Sequence, residues 1–438
     1  YHFLERQDAR HEFANRNLAM ETLAGVDLPS LERYAQLIVK KGCNVQPGQV
    51  FQIGADAQNV DFAVLVAEAA YEAGARFVNL DLSDDRMQKS RIRSAHEEEF
   101  LDYVPSHVSV RFDERIDSKG AVVRLVGPRD PVALAGLPAD KMNRVRMAGH
   151  HAAKRFFSEG IGLSAVQWCV ASAATTGWAE SIIDDLKGDE ARNQLWTELL
   201  EIVRADKDDA FALWDAHADH LQQRSQALNQ LGLVSIHFSG PGTDLTVGLS
   251  TYARFAGGGT RSQRDVDFIP NLPTEEVFTT PDWRQTEGVV RVTRPFVVNG
   301  ALVKDLLMTF SSGELVDFDA SEGADTLKSY VDSDPGARRL GEVALVGTDS
   351  PIFQNGRVFK EILLDENAAC HIAVGNAYKS CLEGGETMSN ETLEEIGCNA
   401  SSAHTDMMIS DENVLVVGRD SNGKETELLR DGAWVFGG

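Results

Sequence analysis

Carboxylates and imidazoles crowd into one stretch of this sequence, Leu364 to Asp406. It opens with Asp365-Glu366-Asn367-Ala368-Ala369-Cys370-His371 and closes with His404-Thr405-Asp406, with Gly375-Asn376-Ala377-Tyr378 between them. The chain of 438 residues has only 11 histidines, so two of them beside Asp365, Glu366 and Asp406 form a local concentration. Carboxylate and imidazole together are what Zn²⁺, Co²⁺ or Mn²⁺ take as ligands. His404 and Asp406 stand two apart, and on an extended strand that spacing puts both on one face. The chemistry these residues could do is activation of water at a carboxylate-rich metal site. Cys370 lies inside the motif, but a soft thiolate is a poor companion for so many carboxylates, and it reads as a small packing residue.

The composition limits what such a site could serve. With 42 basic and 67 acidic side chains the formal charge is −25, which argues against nucleic acid, because phosphate binding needs a basic face, and disfavours an anionic membrane. The chain has 5 cysteines with no CxxC pair, which suggests reduced thiols and a cytoplasmic protein. No apolar run reaches the roughly 18 residues of a membrane span. The charged start, Glu5 to Arg16, has no apolar run of the secretory kind.

The elements that must position these residues fall into two textures. Residues 1–25 are read as an extension that need not be ordered. Residues 26–228 are expected to form an N-terminal open α/β-sheet domain. Asp27-Leu28-Pro29-Ser30 opens a helix with Ser30 as the cap, and Val50–Ile53, a helix near Val60–Ala73 and Arg76–Leu82 make a βαβ unit. Val108–Phe112, Ala121–Val126 and Ala165–Ala171 are further strand candidates, and Asp206 to Leu231 reads as a helix joining the halves. His217 and His220 on that helix read as a solvated face. No GxGxxG and no P-loop occur, which disfavours a nucleotide role. Residues 229–438 turn to β, with an Asn299-Gly300 hairpin signal, and are expected to form a mixed α+β catalytic domain.

Two further carboxylates join the set in this half. Glu276 stands just before apolar Val277-Phe278, and Glu342 opens the apolar strand Leu340–Val346, where a charge is costly to bury unless paired. The candidate metal ligands are then Glu276, Glu342, Glu366, His371, His404 and Asp406. Their four carboxylates would balance two divalent cations, the arrangement that two-metal hydrolases use to activate water.

The segments Pro273-Thr274-Glu275-Glu276-Val277-Phe278-Thr279-Thr280-Pro281, Leu340-Gly341-Glu342-Val343-Ala344-Leu345, Asp365–His371 and His404-Thr405-Asp406 resemble the thermophilic-type aminopeptidases, peptidase family M29. The resemblance implies a metalloaminopeptidase acting on peptides with a free N-terminus. It implies two divalent ions (Zn, Co or Mn, with Mg as a further candidate) held by the six residues named above, with Glu342 bridging. It also implies a homodimer with an enclosed site. Tyr378 matches the family's active-site tyrosine and would donate to the developing oxyanion. Glu275 or Glu366 would carry the proton to the leaving amine, and the sequence does not choose between them. The competing readings are another two-metal hydrolase, such as a phosphoesterase using Arg254, Arg261 and Arg264, and a non-catalytic binding protein stabilised by metal.

Overall fold

The structure is a computed structural model that describes residues 21–436. Most of the expected N-terminal extension, residues 1–20, lies outside these. Glu21–Leu23 forms a short 3-10 turn. There the Thr22 hydroxyl donates to Asp61 at 2.7 Å, and Leu23 is buried in the core.

A parallel sheet forms the first half. Its strands β1 (Val50–Asp56), β2 (Phe77–Ser83), β3 (Ala121–Val126) and β4 (Gln167–Ser172) run in the order β2-β1-β3-β4. Asn271–Leu272, far along the chain, adds a fifth strand parallel to β4. Alternate residues of β1, Phe51, Ile53 and Ala55, are buried in the apolar core shared with helices α1 (Leu28–Leu37) and α2 (Val60–Glu72). The cap of α1 is Asp27 rather than Ser30, since its carboxylate accepts from the Ser30 amide at 3.1 Å and the Ser30 hydroxyl at 2.5 Å. Pro29 is then inside the first turn, where its missing N–H costs nothing.

Val108–Phe112, expected as a strand, lies within helix α3 (Ser106–Asp117). The alternation of Val108, Val110 and Phe112 misleads because Val110 faces solvent. Phe112 and Ile116, one helical turn apart, pack together against Phe156 and Val166.

The second half is antiparallel. A four-stranded sheet of β5 (Val277–Thr279), β6 (Leu340–Leu345), β7 (His371–Gly375) and β8 (His404–Met408) lies beside an eight-stranded one running from Glu314–Asp319 to Ala433–Trp434. The expected hairpin forms between Phe296–Val298 and Ala301–Val303, with both Asn299 and Gly300 at positive φ. Helix α4 (Ala210–Gln230) belongs to both apolar cores: Ala210 and Trp214 pack in the first, Leu221 and Leu228 in the second. Among the described residues no helix is long and apolar enough to cross a membrane.

Candidate metal centre

The four-stranded sheet gathers the predicted ligands on one face. Across β6, β7 and β8 the residues Glu342, Ala373 and Asp406 stand in register, and in an antiparallel ladder such residues share a face. Two residues away on the same face lie His371 and His404. Glu276 enters immediately before β5. A register shift between Leu340 and Glu342 re-aims the Glu342 side chain. Gly341 sits in that bulge, where a Cβ would run into the carbonyl oxygens of Gly375 and Asn376. Small residues elsewhere on the face, Ala344 and Ala373, leave space between the polar groups.

The ligand atoms of Glu276, Glu342 and His371 lie within 4.8 Å of one another, and so do those of Glu342, His404 and Asp406. Glu342 is common to both groups. His371 Nε2 is 3.1 Å from Glu276 and 3.9 Å from Asp406, and His404 Nε2 is 3.3 Å from Glu342 and 3.7 Å from Asp406. Each imidazole directs its other nitrogen at a backbone carbonyl: His371 Nδ1 to Ala369 at 3.1 Å, His404 Nδ1 to Asn376 at 2.8 Å. A proton on Nδ1 satisfies those carbonyls and leaves Nε2 as a lone pair aimed at the cluster, the tautomer a ligating histidine needs.

The electrostatics call for cations. Burial, with the charges of Glu276 and Asp406, pushes Glu342 up to about 7 against the pull of His404. Burial and then the charges of Asp406, Glu276 and Glu342 raise Glu366 well above the usual carboxylate range. Burial disfavours a charged His371, but the hydrogen bond and charge of Glu276, with Asp406 and Glu342, outweigh it and raise it to about 10. His404 is raised to about 9 in the same way, chiefly by Asp406 and Glu342. Without metal the cluster therefore holds protons in place of positive ions.

Glu366 belongs to neither group. It begins a 3-10 turn just after α5 (Ile362–Asp365), with its buried carboxylate near Asp406, Glu276 and Glu342. Tyr378 lies at the other end, its hydroxyl 3.3 Å from His404 Nε2. Burial and the surrounding carboxylates raise its pKa, so the phenol keeps its proton and can donate. The His371 side chain is 1% exposed and that of His404 25%, so the centre opens on the His404 and Tyr378 side.

Glu275 points elsewhere. Arg204 holds it at 3.0 Å, and His217 Nε2 lies 3.3 Å from it and 2.8 Å from the Thr274 carbonyl. Of Glu275 and Glu366, only Glu366 lies among the charges of the cluster. The contacts of Glu275 also correct the reading of His217 as solvated: the ring is half-buried, and burial with the Arg204 charge lowers it to about 4. Asn367 lies inside the Asp365–His371 motif, but the sequence assigns it no role. Fully buried, it accepts from the Glu275 amide at 2.6 Å and donates to the Leu363 carbonyl at 2.8 Å, tying the strand entry that carries Glu276 to the turn that carries Glu366. The run Ala256 to Gly259 serves packing, since a side chain on Gly258 would meet the Ala218 carbonyl of α4. The arginines a phosphoesterase would need are committed separately, Arg254 to Glu383, Arg261 to Asp267 and Arg264 to Gln167.

Comparison with known proteins shows the family. The family model described as thermophilic metalloprotease (M29) matches residues 28–434. Aminopeptidase T of Thermus thermophilus is 39% identical over 406 residues, covering 93% of this chain and 98% of that protein. Aminopeptidase 2 of Geobacillus stearothermophilus and aminopeptidase PepS of Streptococcus thermophilus are 36% and 35% identical, each again over 93% of this chain and 98% of the relative. The solved structure of wild-type AmpT from Thermus thermophilus superposes with a TM-score of 0.84 at 38% identity, over 93% of this chain and 99% of that one. With a match running from α1 through the last strand, and with the carboxylate–histidine face in place, the chain belongs to the M29 family of thermophilic metalloproteases.

Proposed function

We propose that the protein is a metal-dependent aminopeptidase that releases N-terminal residues from peptides at a centre for two divalent ions. The observation that carries this reading is the sharing of Glu342 between two three-ligand groups. Glu276 and His371 would hold one ion, His404 and Asp406 the other, with Glu342 between them and Glu366 completing the set. The donor chemistry fits: oxygen and imidazole nitrogen suit Zn²⁺, Co²⁺ or Mn²⁺, with Mg²⁺ less favoured by the histidines. When bound, such ions polarise a carbonyl and lower the pKa of water.

The chain's own residues supply the rest. Glu366, through a carboxylate oxygen not taken up by an ion, would accept the proton released by the attacking water and pass it to the departing amine. Tyr378 keeps its phenolic proton and donates it as a hydrogen bond to the oxygen that gains charge on the substrate carbonyl. The concentration of acidic groups favours a ligand with a free α-ammonium. The overlap in length with aminopeptidase relatives supports a peptide substrate. The two main apolar cores support a division near residue 228, with Asn271–Leu272 lent back to the first sheet and Ile352, Phe359, Leu364 and Ala368 of the second half packed in the first core. A homodimer and a cytoplasmic location complete the reading. The five cysteines support the latter as free, buried thiols.

The test is an assay of an aminoacyl amide beside a phosphate monoester, before and after chelation. We expect hydrolysis of the amide alone, its loss on chelation, and its return with Co²⁺, Zn²⁺ or Mn²⁺. Phosphate release without amide hydrolysis would contradict the proposal.

A further inference from the structure

The strand that follows Glu276 carries an aromatic ring as well. Along β5, Val277 is buried in the second apolar core, and Phe278 is half-buried. Successive side chains of a strand point to opposite faces. Since Val277 faces the core, Phe278 faces the ligands. Among the described residues, Phe278 belongs to none of the apolar clusters and is not packed against one.

The register of the sheet agrees. Phe278 pairs with Ala344 on β6, and Ala344 pairs with His371 on β7. Residues directly opposite in an antiparallel ladder share a face, so the three form one row on the ligand face. Two strand spacings of about 4.8 Å put the backbones of Phe278 and His371 about 10 Å apart. β5 is the edge of this sheet, so the row ends at Phe278. On its outer side the Phe278 backbone donates to and accepts from Ala256, at 2.9 Å each way. The ring is therefore held in place by its backbone, without help from core packing.

Exposure singles out the same residue. In the four strands β5 to β8 only two side chains are not buried, Phe278 and His404. Both touch Tyr378. The Phe278 and Tyr378 rings meet edge-on with centroids 5.8 Å apart, and Tyr378 meets the His404 imidazole at 5.1 Å. Tyr378 is itself half-buried. The three rings thus run as one partly exposed strip from a candidate ligand to the sheet edge, on the side where the centre opens. Phe278 is the apolar end of that strip. Apolar surface left in water is a cost to the fold that a bound apolar group would relieve.

We propose that Phe278 is the wall against which the side chain of the substrate's first residue packs, a specificity-determining residue that favours apolar N-terminal residues larger than alanine. The proposal rests on the aminopeptidase reading above and deepens it. In that reading the carbonyl oxygen of the first residue accepts from the Tyr378 hydroxyl. The side chain of that residue branches from the carbon next to this carbonyl, so it lies beside the Tyr378 ring, which Phe278 borders. An aliphatic or aromatic side chain gains apolar contact there, and an alanine methyl is too short to gain as much.

The test measures kcat/KM for leucyl, phenylalanyl and alanyl p-nitroanilides on the metal-loaded enzyme, in the wild type, Phe278→Ala and Phe278→Trp. We expect the wild type to prefer leucyl to alanyl, and a ratio of one or below would overturn the proposal. Phe278→Ala should cut the leucyl-to-alanyl ratio by about tenfold, the scale of one apolar contact in a specificity pocket. Phe278→Trp narrows the same space and keeps an aromatic partner for Tyr378, so it should lower phenylalanyl more than alanyl. A ring that only supports Tyr378 would, on removal, lower kcat for all three substrates by one factor and leave the ratios alone. That result would overturn the proposal, as would an Ala variant that matches the wild type. Thermal unfolding checks both variants; if Phe278→Ala does not fold, the phenylalanyl-to-alanyl ratio of Phe278→Trp decides. If the wild type hydrolyses none of the p-nitroanilides, the aminopeptidase reading fails and takes this one with it; if it hydrolyses them and the ratios do not move, only the assignment of Phe278 fails.

Discussion

Tyr378 has a narrow set of partners. Its ring packs edge-on against Phe278 and His404, and the Thr280 hydroxyl donates to its carbonyl at 2.8 Å, so its position does not depend on its own hydroxyl. Tyr378→Phe should therefore leave metal content unchanged and lower kcat by about 10²–10³, the cost of losing one oxyanion donor. Metal analysis beside steady-state kinetics checks both halves, and an unchanged kcat would remove Tyr378 from the chemistry. The protons held by the ligands give a second expectation. Glu342 near 7, His404 near 9 and His371 near 10 are all raised, so at pH 7 the metal-free site carries protons that an ion must displace. Metal affinity should rise as pH goes from 6 toward 9, and calorimetry in buffers of different ionisation heat should record proton release. Uptake of protons would contradict the assignment. The candidate ligands between Leu364 and Asp406 stand out in the sequence because carboxylates and imidazoles crowd there, whereas Glu276 and Glu342 are unremarkable alone and join the set only beside the others. The roles of Asn367 and His217 were not legible, because they depend on partners brought near only by folding, the Glu275 amide and the Thr274 carbonyl.

The four-stranded sheet acts as the element that sets ligand spacing. Ala373 stands between Glu342 and Asp406 in register and is fully buried. Ala373→Val would add bulk on the ligand face, at an overpacking cost of about 1–3 kcal/mol. The protein should fold, with a lower melting temperature, and lose metal affinity far more than that cost suggests, because the two ligand groups are pushed apart. Metal titration with thermal unfolding checks this; unaltered affinity would mean that the face is not where ions bind. Period-two spacing made β8 readable, since His404 and Asp406 needed one face. The same pattern failed at Val108–Phe112, where an exposed Val110 imitates strand alternation within a helix. Sequence alone also could not show the bulge at Gly341, although that bulge aims Glu342.

At the scale of the whole molecule, the net charge of −25 is the term most open to measurement. Mutual repulsion among surface carboxylates destabilises the compact state, while exposed ion pairs are each worth only about 0–1 kcal/mol. Raising salt from 0.01 to 0.1 M shortens the screening length from about 30 to about 10 Å, so relief of repulsion should win. The unfolding midpoint should rise by on the order of 2 °C or more. A fall would show that paired charges, such as Arg357 with Glu198 at 2.8 Å, dominate instead. Two textures of chain were visible from the sequence, but the way they interlock was not. Asn271–Leu272 completes the first sheet and leads directly into Glu276, and Trp178 Nε1 donates to the Phe359 carbonyl at 2.6 Å, holding the segment before Glu366. Both contacts join residues far apart along the chain, beyond the reach of local pattern. The central claim, two ions sharing Glu342, is tested most directly by an anomalous difference map from crystals soaked in Zn²⁺ or Co²⁺. The expected result is two peaks, one beside Glu276 and His371, the other beside His404 and Asp406, with Glu342 touching both. A single peak, or peaks away from these residues in an active enzyme, would contradict it.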